Sequence, residues 1–466
     1  MKMFRLMRRR RGFTLIELMV AIVIAGIVVV SAYALFSNTS RAMYEVDNLS
    51  KLNDQARFAA ELIARDVRSA GSLSTPNSYT DKFVNPSTNL SDNPLKNSNF
   101  VRAIYMPPLQ DVAIGPQGQA VNGVLANAGT SSDQLIVMGA YDYPFTFEIS
   151  GLEEATNGEV TSAIVREGPR GTWRFARRDP FDVRVDTLGS LSAGQLQSLS
   201  SGTKARLMRA IDRNGYMMFA TIDPATDGFE YNANEFAIKF SDTQRFRFRV
   251  GNEQNGFEPA ASEDEGYEAA LLDAFRYRVC ISREDVNNLQ LVRERVDPSD
   301  LIDDPSSIVT NPSCGDLPSG VLEQHVVAEH VADFQVWFDC TPNNSLALEE
   351  VVRQRGWLTP DAAGANVAHN CLNTDSLSAS TFGRADQVRV AHIRLSLHTP
   401  TERSDLPNYR FLTNQNPLTT TTDPSDAQAV GPLQTFDIDG DLTSAARVVT
   451  VQIDLDLPNF AGRVNR

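Results

Sequence analysis

Three side chains in the second half of the chain have the residue types that bind catalytic zinc. His325, Glu329 and His330 occur in the order H-x-x-x-E-H, whereas inverted zinc peptidases use H-x-x-E-H over one helical turn. The valines between the histidines favour a strand, so we predict a surface strand end here and not a zinc site. His392 and His398 lie six residues apart on a predicted strand, about 20 Å from each other, too far to share a metal.

The sequence contains no G-x-S-x-G, Walker A or H-E-x-x-H motif, so we expect no enzyme activity. Asp437, Asp439 and Asp441 form part of a calcium-loop pattern, but the glycine position and the distant glutamate of an EF-hand are missing. We interpret these aspartates as an acidic turn and keep calcium as the alternative. No other cofactor is expected.

A basic and aromatic stretch, Arg245-Phe-Arg-Phe-Arg249, has residue types that bind single-stranded nucleic acid. On a strand the arginines and phenylalanines point to opposite faces, as any half-buried strand requires. The formal net charge of the chain is −15, and it becomes −21 without the six basic residues of positions 1–12. We therefore expect no nucleic-acid partner.

Four cysteines, Cys280, Cys314, Cys340 and Cys371, lie in the C-terminal half, and none forms a C-x-x-C pair. An even number in an exported protein indicates two disulfides with three possible connectivities. We favour Cys280–Cys314 and Cys340–Cys371, because each pair joins a predicted strand end to the loop that follows.

One charge, Glu17, interrupts a 24-residue apolar run over positions 13–36. As a helix this run is about 36 Å long, enough to cross a bilayer of about 30 Å. The arginines at positions 8–11 should remain cytoplasmic, so the body of the chain is expected on the outer side. A carboxylate in a bilayer helix costs about 2.5–3.5 kcal/mol, which indicates a function for Glu17.

The residues around Glu17, Gly12-Phe13-Thr14-Leu15-Ile16-Glu17 behind a basic leader, resemble the type IV prepilin signal. In that family a prepilin peptidase cuts after the glycine and N-methylates the phenylalanine. The resemblance implies that Gly12 and Phe13 are the processing residues. It also implies that Glu17 pairs with the N-terminal amine of a neighbouring subunit during filament assembly.

Two alternative interpretations of this segment are weaker. Ala32-Tyr33-Ala34 forms an A-x-A cleavage site of a secretory signal peptide, but the preceding apolar run exceeds the usual 7–15 residues and contains a glutamate. An ordinary single-span anchor would leave the cost of Glu17 unexplained.

The apolar pattern continues beyond position 36 with a helical repeat. The repeating residues are Val46, Leu49, Leu52, Ala56, Ala59, Ile63 and Val67. Arg57, Glu61, Arg65, Asp66 and Arg68 occupy other positions. Gly71 ends the pattern, which predicts one helix of nearly 60 residues. Residues 55–71 resemble the same region of PilW-like minor pilins and J-type minor pseudopilins, and we expect residues 46–67 to contact other minor pilins.

Strand-like runs alternate with turns through the remainder of the chain. They span 134–139, 145–149, 161–166, 172–176, 182–185, 216–222, 235–240, 245–250, 274–281, 289–296, 333–339, 387–397 and 447–457. We therefore predict an α+β fold in which the long helix packs on an antiparallel β-rich head. The predicted divisions are a leader (1–12), two helix halves (13–36 and 37–71) and two β-rich lobes (72–250 and 269–466).

The resemblance implies a minor pilin of a type IV pilus that primes assembly and/or mediates adhesion. We expect it at the tip, because the 395 residues after Gly71 form a body too large to occupy every position along a shaft. The alternatives are a minor pseudopilin of a type II secretion system and a membrane-anchored adhesin that does not polymerise. The expected partners are prepilin peptidase, other pilins and the inner-membrane assembly platform. The subunit is expected in the bacterial inner membrane with a periplasmic head, and later in a pilus at the cell surface.

Overall fold

The computed structural model describes residues 14–75, 81, 84, 101, 103–105, 134–141, 146–149, 151–154, 160–166, 207–212, 214–222, 229–232, 235–240, 267–285, 288–297, 314–315, 317, 320–340, 352–355, 388–401, 410–411, 433–436 and 445–457. The chain divides into two compact units, Met1–Asp54 and Gln55–Arg466. A long N-terminal helix is followed by antiparallel strands, which confirms the predicted α+β class.

A single helix, α1 (Leu15–Ser69), has 55 residues and belongs to both units. Its residues up to position 36 are all exposed. Within the second unit, one stripe of the helix is buried, with exposures of 4% or less. The members of this stripe are Ala56, Ala59, Ala60, Ile63, Ala64 and Val67, and their spacing is that of an amphipathic helix.

The burial of this stripe corrects two expectations from the sequence. Ile63 and Val67 are both 0% exposed, so the chain's own body covers much of the surface expected to contact other pilins. Asp66, predicted among the polar positions, is only 1% exposed. Among large apolar residues of α1 in the second unit, Phe58 is the exposed one at 62%.

Eighteen strands occur within the described residues. They are β1 (Ile104–Tyr105), β2 (Leu135–Gly139), β3 (Phe147–Ile149), β4 (Gly151–Glu154), β5 (Val160–Arg166), β6 (Leu207–Ile211), β7 (Met217–Thr221), β8 (Phe229–Asn232), β9 (Glu235–Lys239), β10 (Tyr267–Ile281), β11 (Leu289–Val296), β12 (Val321–Ala328), β13 (Val331–Cys340), β14 (Val352–Arg355), β15 (Val388–His398), β16 (Arg410–Phe411), β17 (Leu433–Phe436) and β18 (Ala446–Asp456). The predicted strands at 172–176, 182–185 and 245–250 lie outside the described residues.

An eight-stranded antiparallel sheet is organised around β10. Its main order is β1-β2-β10-β11-β12, while β3 and β6 also pair with β10 and β7 pairs with β6. β10 has 15 residues, of which 13 are buried. It is thus the strand that connects most of this sheet.

Strand pairing in the eight-stranded sheet crosses the predicted boundary between the lobes at 72–250 and 269–466, and the division into lobes stays a prediction. β2, β3 and β6 come from the first predicted lobe, yet all three pair with β10, which begins at the predicted boundary. A four-stranded sheet, β4-β5-β9-β8, is formed by residues before position 250 alone.

A six-stranded sheet, in the order β14-β13-β15-β18-β17-β16, is built from residues after position 330. β15 lies beside β13 and β18 in antiparallel register. Alternate residues of β15, including Ile393 and Leu395, are 0% exposed, as are Phe334 and Val336 on β13. These side chains form an apolar face on one side of the sheet.

The end of α1 is positioned against β2. Gly71 has a φ of 72°, a left-handed conformation that suits glycine at the end of a helix. Its N–H donates to the carbonyl oxygen of Met138 over 2.8 Å. A Cβ added to Gly139 would lie 2.7 Å from the carbonyl oxygen of Ser69, so only glycine permits this close approach.

Candidate assembly site and helix anchor

The first turn of α1 forms a capping box around Glu17. The Glu17 N–H donates to Oγ1 of Thr14 over 3.3 Å. In return, the N–H and the hydroxyl of Thr14 both donate to Oε2 of Glu17, each over 2.9 Å. The T-x-x-E spacing is the sequence signature of this cap, and the sequence interpretation did not use it.

The capping box determines how the carboxylate of Glu17 is presented. Both bonds from Thr14 end on Oε2, so Oε1 accepts neither of them. The cap therefore uses one of the two carboxylate oxygens. A positive group such as an amine can bind this arrangement without breaking the cap.

The other residues predicted for processing, Gly12 and Phe13, lie outside the described residues. The helix that follows them is the candidate membrane span among the described residues, by length and composition. Exposed apolar side chains occur along it, from Leu15 at 76% to Phe36 at 70%. A surface of this kind is stable in hydrocarbon and unfavourable in water.

A second carboxylate of α1, Asp66, fixes the helix to the eight-stranded sheet. Its Oδ2 accepts a hydrogen bond from the Tyr277 hydroxyl over 2.6 Å and one from Nε of Arg293 over 2.8 Å. The Asp66 carbonyl oxygen accepts a bond from the Tyr141 hydroxyl over 2.9 Å. We call Asp66, Tyr141, Tyr277 and Arg293 the helix anchor.

Aromatic rings enclose the charged pair of the helix anchor. The guanidinium of Arg293 lies 3.4 Å from the ring centroid of Phe275, a cation–π contact. Tyr141 meets the same ring edge-on with centroids 5.2 Å apart. Burial, reinforced by the charge of Asp66, raises the pKa of Tyr277 well above its usual value, so this phenol remains a hydrogen-bond donor.

A charged cluster lies on the face of the same sheet opposite to the helix anchor. Glu294 is 0% exposed and accepts from Nε of Arg276 over 2.6 Å and from Nη2 of Arg278 over 2.8 Å. Burial raises the pKa of Glu294, but the two arginines outweigh it and the net shift is downward. Gln324 also donates to Glu294 over 2.8 Å, so the cluster joins β10, β11 and β12.

A disulfide links Cys280 to Cys314, with their Cα atoms 5.4 Å apart, and this is one of the two pairs expected from the sequence. The backbone N–H of Gly315, next to Cys314, donates to Gln324 over 2.9 Å. Cys371, the expected partner of Cys340, lies outside the described residues, so that pair stays a prediction.

The metal-binding candidates give no site within the described part of the chain. His325 is hydrogen-bonded to Glu323 over 2.9 Å, and no cluster of three or more His, Cys, Asp or Glu residues that could hold a metal occurs among the described residues. Asp437, Asp439 and Asp441 lie outside them, so calcium stays an untested alternative. Arg245–249 also lies outside.

Comparison with known families adds evidence for the N-terminal segment alone. A family described as the prokaryotic N-terminal methylation motif matches residues 7–33. The chain thus carries a prepilin motif and is type IV pilin-like. No curated protein and no solved structure matches it.

The motif has direct consequences for processing and location. It implies cleavage by a prepilin peptidase and association with pilins. Together with the apolar first half of α1, it indicates membrane anchoring. The motif is typical of structural proteins of filaments.

Proposed function

We propose that this chain is a minor pilin of a type IV pilus, incorporated at the tip, where it primes assembly and presents its β-rich body for adhesion. The observation that carries the proposal is the methylation motif over residues 7–33, continuous with a helix of 55 residues whose later turns are buried in a folded body. An anchor without a role in assembly would need no glutamate in its apolar segment.

The capping box supports the assembly step in this proposal. Thr14 holds the Glu17 side chain at the start of α1. Cleavage after Gly12 would create an α-amine at Phe13, and the amine of a neighbouring subunit can then approach Oε1. In hydrocarbon this pair stabilises both charges, because neither has water as an alternative partner.

The size of the body supports a place at the tip. The chain continues for 395 residues after Gly71. A compact body of that length has a radius of gyration of about 21 Å, against about 13 Å for 100 residues. Bodies of this size would collide if they occupied every position along a shaft, whereas a subunit at the tip has no neighbour above it.

Gold labelling of the body on intact pili tests the location. Label at one end of each filament, with few pili after deletion of the chain, is the expected result. Continuous decoration along the shaft would overturn the tip assignment. Absence from pili together with loss of protein secretion would instead identify a pseudopilin of a type II system.

Processing is tested on the same preparations. The mature N-terminus is expected to be methylated Phe13, and Gly12→Val should leave the leader attached, because the peptidase site then meets a β-branched side chain. N-terminal sequencing and mass spectrometry measure both outcomes. A mature chain that begins at Leu35 would show signal-peptide cleavage and contradict the proposal, and an uncleaved, unpolymerised chain would identify a simple membrane-anchored adhesin.

A further inference from the structure

A two-residue connection joins the two largest sheets. β12 of the eight-stranded sheet ends at Ala328 and β13 of the six-stranded sheet begins at Val331, with Glu329 and His330 between them. His330 has a φ of 57°, in the left-handed region that residues other than glycine seldom adopt. The chain therefore turns sharply at this histidine, and other contacts must hold it there.

The backbone of His330 makes hydrogen bonds to a residue next to each of the two sheets. Its N–H donates to Oδ1 of Asn288 over 2.9 Å, in the turn between β10 and β11. Its carbonyl oxygen accepts the N–H of His398, the last residue of β15, over 2.8 Å. One residue thus ties a turn of the first sheet to a strand end of the second.

The side chains of the two histidines also contact each other. Their ring centroids are 5.4 Å apart in an edge-to-face arrangement. His398 is 1% exposed, and its Nδ1 lies 2.8 Å from the carbonyl oxygen of Thr399. Because a carbonyl oxygen only accepts, Nδ1 carries the proton in the neutral ring.

The surroundings of the pair oppose a positive charge on either ring. Burial lowers the pKa of His398 to about 4, against the upward effect of its bond to Thr399, and His330 lowers it further. Burial also lowers the pKa of His330, although the negative charges of Glu329 and Asp285 act in the opposite direction. The strand residue opposite His398 on β18 is Val448, which adds no charge.

We propose that His330 and His398 form a proton-sensitive joint between the two sheets, closed while both rings are neutral and released when the pair takes up a proton. A proton on His398 would be buried beside a second imidazole. The rings would then separate, and the bond between the His398 N–H and the His330 carbonyl oxygen would weaken with them.

The joint predicts a specific dependence of stability on pH. The folded state binds this proton less readily than the unfolded chain, whose histidine has the ordinary pKa of 6.5. The contribution of His398 to stability is therefore present above pH 6.5 and is lost as the pH falls towards 4. Between pH 7.5 and pH 5, His398 alone should lower the folding equilibrium constant by about 30-fold.

The test uses the full chain in detergent micelles, unfolded with denaturant at pH 7.5 and pH 5. His398→Gln should remove most of the pH-dependent loss. His330→Asn, in which asparagine tolerates the left-handed conformation, should remove a smaller part, because His398 remains buried. His325→Gln, at an exposed histidine on β12, is the matched control and should lose stability like the wild type. The protection factor of the His398 amide, from which the intrinsic pH dependence of exchange is removed, should be lower at pH 5 than at pH 7.5 in the wild type and in the control.

The histidine ring signals of the wild type provide a direct readout that requires no variant to fold. In an NMR titration of ¹³C-labelled histidine, His398 is expected to titrate near pH 4. If His398 titrates near 6.5, or if both variants lose as much stability as the control between the two pH values, the joint is not proton-sensitive.

Discussion

Two of the carboxylates of α1, Glu17 and Asp66, are hydrogen-bonded in opposite ways. Glu17 is exposed in an apolar segment and bonds to Thr14, three residues before it. Asp66 is buried and bonds to Tyr277 and Arg293, which are 211 and 227 residues away. One helix thus contains a carboxylate held by its own first turn and another held by the tertiary fold.

The difference shows what each carboxylate can do. A local cap forms as soon as the helix forms, so in the proposed function Glu17 is held in place before the amine of a neighbouring subunit arrives. The partners of Asp66 exist only in the folded body, so its bonds report that the body is assembled on the helix. The first arrangement is suited to binding another molecule, and the second to fixing the internal structure.

Of the substitutions that test this comparison, removal of Asp66 should have the largest effect on the free energy of unfolding. Asp66→Ala leaves Arg293 partly buried without its carboxylate and removes the acceptor of the Tyr277 hydroxyl. We expect a loss of about 3–5 kcal/mol in the free energy of unfolding, as for other broken buried pairs. Denaturant unfolding of the full chain in micelles measures it.

The control for Asp66 is Glu61→Ala, which changes an exposed carboxylate on the same helix and should stay within about 0.5 kcal/mol of the wild type. The stability of Asp66→Asn should lie between those of Asp66→Ala and Glu61→Ala, because the amide oxygen still accepts hydrogen bonds but carries no charge. Equal stability of Asp66→Ala and the control would show that the helix anchor does not fix α1.

Substitution of Glu17 separates its charge from its capping bonds. Glu17→Gln retains an oxygen that accepts from Thr14, whereas Glu17→Ala loses the cap as well. If the carboxylate binds an amine, both variants should still insert into the membrane and be cleaved. Their incorporation into filaments should be about tenfold lower than that of the wild type, which corresponds to about 1.4 kcal/mol in the free energy of incorporation. Quantitative blotting of membranes and of sheared pili measures the two steps.

Glu17→Ala should also insert more readily, since a buried carboxylate costs about 2.5–3.5 kcal/mol. Wild-type incorporation by Glu17→Gln, with a defect in Glu17→Ala alone, would assign the role of Glu17 to the cap and not to its charge.

The smallest expected effect comes from Thr14. Thr14→Val keeps the shape of the side chain but removes the hydroxyl that caps α1, at a cost of about 1 kcal/mol. Amide exchange in the first helical turn should accelerate about fivefold. Thr39→Val is the matched control, because Thr39 bonds the Leu35 carbonyl in mid-helix and its loss should leave the first turn unchanged.

Local patterns in the sequence predicted the helix and many strands. The apolar repeat of α1 indicated a helix to Gly71, and the structure ends it at Ser69. The strand at 289–296 was predicted with the bounds of β11. β10 was predicted only from residue 274, because its first half contains Ala-Ala-Leu-Leu at positions 269–272 and shows no alternation of apolar and polar residues.

Long-range pairings could not be predicted in this way. The register between β2 and β10 places Ile136 opposite Arg276, and no local pattern records such a contact. For the same reason the boundary at 251–268 was drawn between strands of one sheet, and Asp66 was assigned to the polar side of the helix. Thr14 is different, since its capping signal was present in the sequence and was overlooked.

The distance along the chain between Asp66 and Arg293 has a consequence for biogenesis. The partners of the helix anchor are synthesised 211–227 residues after Asp66. At about 5–20 residues per second, the ribosome needs roughly 10–45 s to add them. During that interval Ile63 and Val67 lack part of the body that buries them, in a protein whose slow non-local pairings favour misfolding. The nascent chain should therefore depend on chaperones until about two thirds of its length has emerged.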